Sequence, residues 1–178
     1  MNTHPLKVLK YCPKCGSAEL HKSGDRSLKC ADCGFHFFIN SSAAVAALVT
    51  DESGKLMLVT RGVEPNYGKL DLPGGFIDPL ESAEDAVRRE LKEELGLKVK
   101  NLKYLESAPN EYVFSAFTVF TLDMAFQVIA ESVEDLKPMD DILAYKFYAE
   151  EELDYDDIPA PSIRKFVKDY FQSTKHKQ

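Results

Sequence analysis

Three glutamates, Glu90, Glu93 and Glu94, stand at i, i+3 and i+4 in the run Arg89-Glu90-Leu91-Lys92-Glu93-Glu94. In a helix that spacing places all three carboxylates on one face. Like charges stacked in this way repel unless a cation neutralises them. The stripe adjoins an apolar one, Ala83, Val87, Leu91 and Leu95, so it cannot point wholly into solvent. Hard oxygen ligands on a half-buried face suit magnesium or manganese. An isolated acidic run is more often a solvated helix face, so its surroundings decide. Immediately upstream lies Leu72-Pro73-Gly74-Gly75, where paired glycines let the backbone approach a metal or phosphate closely. No Gly-Lys-Ser/Thr follows, which excludes a P-loop.

A second constellation is made of cysteine. Cys12-Pro13-Lys14-Cys15-Gly16 and Cys30-Ala31-Asp32-Cys33-Gly34 are matching knuckles with fourteen residues between Cys15 and Cys30. Two residues between the cysteines let both sulfurs of a knuckle reach one ion. Four thiolates converging at about 2.3 Å make a structural zinc site. The glycine after each second cysteine permits the tight turn that this requires. A redox pair or free buried thiols are the alternatives. His21 and His36 could serve as ligands, but four cysteines already complete the set.

These groups need elements to hold them. Ala43–Thr50 and Lys55–Thr60 read as strands joined by the turn Asp51-Glu52-Ser53-Gly54. Gly62 to Pro79 is rich in glycine and proline and reads as loop with at most a short strand. Ser82–Leu95 reads as a helix, with Ser82 and Asp85 spaced as in a capping box and Gly96 as its stop. Val99–Glu106, Tyr112–Ala130 and Leu143–Tyr148 are rich in β-branched and aromatic residues and read as strands. After Pro159 and Pro161, the spacing of Ile163, Phe166, Val167, Tyr170 and Phe171 predicts an amphipathic helix. Strands with one helix between them and one after imply an α/β fold whose mixed sheet is covered on both faces.

The 178 residues carry a net charge of −7, distributed unevenly. Residues 1–40 hold six Lys/Arg against three Asp/Glu, or +3; the remainder holds 16 against 26, or −10. Two modules are expected, 1–39 and 40–178. An acidic chain repels nucleic acid and anionic membranes, so neither is an expected partner. No apolar run approaches the length of a membrane span, and the first twenty residues lack a signal-peptide core. All four cysteines fall between positions 12 and 33, which suits a cytoplasmic protein whose cysteines have a local task.

The segment Gly75 to Leu97, GFIDPLESAEDAVRRELKEELGL, resembles the Nudix box throughout: Gly75, Glu81, Arg89-Glu90-Leu91, Glu93-Glu94, Leu95 and Gly96-Leu97 all match. The resemblance extends over about residues 40–178. It implies a Nudix α/β/α sandwich and divalent-metal-dependent hydrolysis of a nucleoside diphosphate linked to another moiety. It also implies that Gly74 offers a backbone carbonyl to magnesium or manganese. Glu90 and Glu94 would be the main ligands and Glu93 would assist. Arg89 would orient the carboxylates, and Glu81 would steady the loop or a bridging water. A further base often comes from a later loop in this family; Asp123, Glu131, Glu134, Asp140 and Asp141 are candidates, none assigned.

A zinc ribbon ahead of such a domain resembles the NADH pyrophosphatase branch and some FAD or ADP-ribose pyrophosphatases. That branch carries Ser-Gln-Pro-Trp-Pro-Phe-Pro-x-Ser; here Ser107, Pro109 and Ser115 match and Tyr112 replaces Phe, while the Gln, the Trp and two prolines are absent. Tyr112 and Phe114 could stack on a substrate ring or simply be strand aromatics. Arg61 is a third candidate substrate contact. The expected partner is a small-molecule nucleotide, with a homodimer as one possible assembly. A nucleotide-sensing domain and a nucleoside triphosphate hydrolase are the competing readings.

Overall fold

The computed structural model describes residues 3–175. The chain divides into two compact units: the part up to Ser41 together with Glu111–Phe120, and Ser42–Asn110 together with the chain from Thr121 onward.

The first unit holds a short helix, α1 (Pro5–Val8), and three antiparallel strands in the order β1 (Leu20–Lys22), β2 (Ser27–Cys30) and β3 (His36–Phe38). Its small core is Leu20 and Leu28 with Cys12 and Cys30, flanked by Leu6, Leu9, Phe35 and Phe37. So little apolar material cannot by itself hold a module of this size, which is where a metal crosslink would contribute to folding.

The second unit contains β4 (Ser42–Val49), β5 (Leu56–Arg61), β6 (Leu70–Asp71), α2 (Ala83–Leu95), most of β7 (Val99–Phe114) and β8 (Phe117–Ala130), β9 (Ile142–Tyr148) and α3 (Pro161–Lys175). One sheet has the order β4-β8-β7, with β4 parallel to β8 from Ser42↔Thr121 to Val49↔Val128. The other has the order β6-β5-β9 and is antiparallel. Strand alternation divides the core in two. Val45, Ala47, Val49, Met57 and Phe126 pack with Val87, Leu91 and Leu95 of α2. Ala46, Leu48, Leu56, Leu58 and Ala125 pack with Ile163, Phe166, Val167 and Phe171 of α3. A helix on each face makes the expected α/β/α sandwich, and successive residues of β4 serve opposite faces as the period of two demands.

Helix α2 begins and ends where its sequence dictates. Ser82 Oγ accepts from Asp85 N, and Gly96 adopts the left-handed conformation at φ 68°, its N–H returning to the carbonyls of Leu91 and Lys92. The expectation of one strand from Tyr112 to Ala130 is corrected: the run folds back at Ser115 and Ala116, with φ 49° and 60°. Two successive left-handed residues form the tight turn whose twist matches the flanking strands. Neither is the Asn, Asp or Gly that usually marks this turn, so the hairpin carries no local signal. The strand before it also runs through residues 107–114, beyond the expected end at Glu106.

Candidate functional site

The site is built on the loop between β6 and α2. Pro73, Gly75 and Ile77 run beside β4 through Ala47 N–H to Pro73 O (2.8 Å), Val45 N–H to Gly75 O (2.9 Å) and Ile77 N–H to Ala43 O (3.1 Å). Gly74 sits at φ 142°, where a Cβ would collide with the Val45 carbonyl. These constraints fix the loop against the sheet and set it facing α2. Gly74 N–H donates to Glu94 Oε2 at 3.1 Å.

Arg89 organises the carboxylates. Its Nε and Nη2 donate to the two oxygens of Glu81, each at 2.8 Å. Nη2 also donates to the Phe76 carbonyl at 2.9 Å. Nη1 donates to Glu90 Oε1 at 2.8 Å and Glu93 Oε2 at 3.2 Å. A planar guanidinium can satisfy this many acceptors at once, which a lysine could not. Glu81 further accepts from Asp78 N–H at 2.9 Å, closing the turn before the helix.

Burial differs along the stripe. Glu93 is exposed, Glu90 half-buried and Glu94 only 6% exposed. Burial pushes the Glu94 carboxyl up to about 8, although the Gly74 N–H favours its charge; Glu90, Asp71 and Asp140 add to the rise. Glu90 is raised by burial against the opposing pull of Arg89. Glu81 behaves oppositely: hydrogen bonds from Arg89 hold it down near 2. Arg89 therefore holds Glu81 in its charged form, while burial opposes charge on Glu94. The oxygens do not converge as thiolates would. Carboxylates arranged in this way fit a hard cation that keeps several waters and takes one or two carboxylates plus substrate phosphate.

Asp71 was missed in the sequence, although an Asp between Leu70 and Leu72 in an otherwise apolar run is a visible anomaly. Its Oδ2 receives Arg61 Nη1 at 2.8 Å, and burial raises its carboxyl despite that partner. Arg61 also donates through Nε to Pro65 O at 2.9 Å, so this candidate substrate contact is held by the protein itself. Among the later acidic residues, Asp140 affects Glu94, and Met139 N–H caps Glu94 O at 2.8 Å. Asp123 is buried and bonded to Ser162. Asp141 O receives Gly62 N–H at 2.6 Å, Glu131 N–H donates to Lys98 O at 2.9 Å, and Glu134 lines a surface recess with Lys98 and Lys137. Tyr112 and Phe114 lie on the hairpin end that belongs to the other unit.

In that unit Cys12, Cys15, Cys30 and Cys33 bring their sulfurs within 4.8 Å of one another. Cys12–Cys33 and Cys15–Cys30 are each 3.7 Å apart, far beyond a disulfide. A tetrahedron with 2.3 Å metal–sulfur bonds has edges of about 3.8 Å. The knuckles repeat one backbone pattern: Gly16 N–H to Cys12 O at 2.8 Å and Gly34 N–H to Cys30 O at 3.1 Å. Against the cost of burial, the N–H groups of Cys15 and Lys14 draw the Cys12 thiol down to about 7. His21 pairs with Glu19 and His36 with Ser27, so neither competes for the centre.

The NUDIX domain family matches residues 40–170. The chain is 30% identical over 118 residues to the NAD-capped RNA hydrolase NudC of Deinococcus radiodurans, covering 65% of this chain and 42% of that protein. It is 31% identical over 121 residues to NudC of Haemophilus influenzae, covering 67% and 46%. The chain thus spans less than half the length of these curated relatives. A NUDIX hydrolase from Nitrosomonas europaea shares the fold at a TM-score of 0.69 and 23% identity, over 96% of this chain and 94% of that one. A domain-length family match, resting on a carboxylate helix and glycine loop arranged as described, places this chain in the Nudix family.

Proposed function

We propose that the chain is a divalent-metal-dependent pyrophosphohydrolase acting on NAD-type dinucleotides, with NADH, FAD and ADP-ribose as the substrate class. The observation that carries this reading is the buried Glu94 carboxyl beside the Gly74–Gly75 loop, where a buried negative charge needs a cation. The relatives' name, NAD-capped RNA hydrolase, points to the NAD type.

Magnesium or manganese would be held by Glu90 and Glu94 with the Gly74 carbonyl, Glu93 assisting; when bound it neutralises the diphosphate and acidifies the attacking water. Arg89 keeps Glu90 and Glu93 in place, and Glu81 keeps Arg89 in place. Water oxygen attacks one phosphorus, the bridging P–O bond breaks, and two monophosphates leave with the released proton. The four thiolates would hold zinc as a structural centre. The location consistent with thiols kept for a metal is the cytoplasm; among the described residues no helix is long and apolar enough to cross a membrane.

The test is product analysis over dinucleotides, nucleotide sugars and triphosphates with magnesium and manganese. AMP plus a second monophosphate from NAD-type substrates is expected. Triphosphates turned over far faster than every dinucleotide would replace this reading, and absence of turnover with intact ligand binding would favour a sensor. Metal analysis should find one zinc per chain, and its removal should unfold the ribbon before the larger unit.

A further inference from the structure

Strand β6 is only two residues long, Leu70 and Asp71, and the glycine loop leaves it at once. Two ladder pairs, Thr60↔Leu70 and Val59↔Asp71, give so short a strand little hold on its neighbour. The loop's first peptide is fixed by side chains instead. Asp71 lies directly opposite Val59 on one sheet face, and Arg61 stands diagonal to it on the same face, within reach of a long side chain. Val59 belongs to the core that α2 covers, so this face is the one turned towards the carboxylate helix. Both oxygens of Asp71 are in use. Oδ2 receives Arg61 Nη1 at 2.8 Å, and Oδ1 receives the N–H of the next residue, Leu72, at 2.9 Å. Arg61 is tied at three further points: Nε donates to Pro65 O, its N–H donates to Lys69 O, and its carbonyl accepts from Gly68 N–H, each at 2.9 Å.

The Arg61 and Asp71 side chains are 26% and 18% exposed. An ion pair so far from water returns little net stability, because desolvating both charges offsets their attraction. What it does fix is direction. Leu72 precedes a proline, which biases it towards extended backbone, and the ring of Pro73 sets its own φ. Few soft torsions therefore separate the clamped Asp71–Leu72 peptide from Gly74, whose N–H meets Glu94 Oε2 at 3.1 Å.

Resting on the proposed function, we propose that Arg61 and Asp71 are positioning residues for the metal site: together they aim the Gly74 peptide, keeping its N–H on Glu94 and its carbonyl for the cation. Both act through Gly74 and not on the substrate.

Two readings on the full chain test this without turnover: the amide resonances of the metal-free protein, and manganese affinity measured by electron paramagnetic resonance. Arg61→Met keeps the carbon stem, and an Asp71 that loses its partner can take up a proton and stay buried. In Arg61→Met and Asp71→Asn the Gly74 N–H resonance should move or broaden, while that of Gly54, in the turn between β4 and β5, stays in place. Manganese affinity should fall about 10–100-fold, as when a ligand's support is removed, with kcat falling in step. Arg61→Lys should restore part of both readings, since the charge returns without the fork that also holds Pro65 O. Lys69→Met removes a different anchor of the same loop, the 2.7 Å pair with Asp157, and should change neither. A pair that serves stability alone would lower the melting temperature and leave the Gly74 resonance and manganese affinity as in the wild type. That result in Arg61→Met overturns the proposal, as does a change at Gly54 as large as that at Gly74 or an equal loss in Lys69→Met. Should both Arg61→Met and Asp71→Asn fail to fold, Arg61→Lys decides by the same two readings. A wild-type chain that binds no manganese overturns the catalytic reading instead, and the Gly74 resonance still decides the role of the pair.

Discussion

The Glu90 carboxylate occupies the space that a side chain at position 75 would take: a Cβ on Gly75 would lie 2.5 Å from Glu90 Oε1 and 2.8 Å from its Cδ. The backbone at Gly75 is not in the left-handed region, so the demand for glycine there comes from the carboxylate and not from the chain's conformation. Gly75→Ala should keep the fold, because the end of a flexible side chain can give way, while displacing Glu90. Metal affinity or kcat should fall by about 10–100-fold, the usual effect of disturbing a ligand's support. Gly74→Ala should behave differently. Its φ of 142° and the Val45 carbonyl force the backbone itself to move, at a cost of about 1–3 kcal/mol in stability. Melting curves and magnesium titrations of both variants separate these effects; wild-type metal affinity in Gly75→Ala would show the contact to be incidental.

Glu81 is the partner that fixes Arg89, taking two of its N–H groups at 2.8 Å. Glu81→Gln retains the shape but replaces one acceptor oxygen with a donor nitrogen facing the guanidinium. Arg89 should then turn, and Glu90 and Glu93 lose their orientation without losing their charges. The expected result is a fall in kcat of about tenfold or more with overall structure preserved. Unchanged kcat at saturating metal would mean that Arg89 is held well enough by Phe76 O and Glu90 alone.

Much of this arrangement was visible in the residues themselves. The boundaries of α2 follow from Ser82 and Gly96, and the two core stripes follow from periods of 3.6 and 2. The convergence of the cysteines follows from the repeated knuckle. What escaped depends on partners distant in sequence or on turns without their usual residues. The Ser115–Ala116 turn has no Asn or Gly to announce it. The Arg61–Asp71 pair arises because β5 and β6 are neighbours in a sheet, which no local pattern records. The burial of Glu94 relative to Glu93, one residue away, depends on which side of α2 meets the glycine loop.

The raised carboxyls give the magnesium-free protein an unusual pH dependence. Burial lifts Glu94 to about 8 and moves Glu90 and Asp71 upward as well. Above about pH 4.5 the unfolded chain has released these protons while the native state still binds them. Stability is then fully present below the unfolded pKa and is lost as pH rises through the folded values. Glu81 and Glu152, held down near 2, titrate below this window and do not mask it. Melting temperature in magnesium-free buffer without chelator should fall from pH 5 to pH 8, and magnesium should restore it at pH 8. Glu94→Gln should flatten the slope; an identical slope in the variant would show that Glu94 is already ionised in the metal-free fold.

The sharpest separation of catalysis from stability comes from two glutamates on the same helix. Glu94 is buried against Gly74, whereas Glu84 is exposed in the first turn, outside the stripe. Glu94→Gln keeps size and hydrogen-bonding capacity but removes a buried carboxyl whose ionisation is opposed by burial and by Glu90, Asp71 and Asp140. Stability without metal should therefore be unchanged or raised at neutral pH. Activity should move the other way, because the developing charge at phosphorus loses the cation that Glu94 is proposed to anchor. Loss of one well-placed electrostatic stabiliser costs about 10²–10³ in rate. Glu90→Gln should show the same fall in rate. Glu84→Gln should be nearly silent in both kcat and melting temperature, since its charge lies in solvent at the helix start, where only the weak dipole interaction is lost. Metal-saturated kcat and thermal melting of the three variants provide the comparison. Equal, near-wild-type kcat in Glu94→Gln and Glu84→Gln would remove the catalytic assignment of the stripe and leave the chain as a nucleotide-binding Nudix domain.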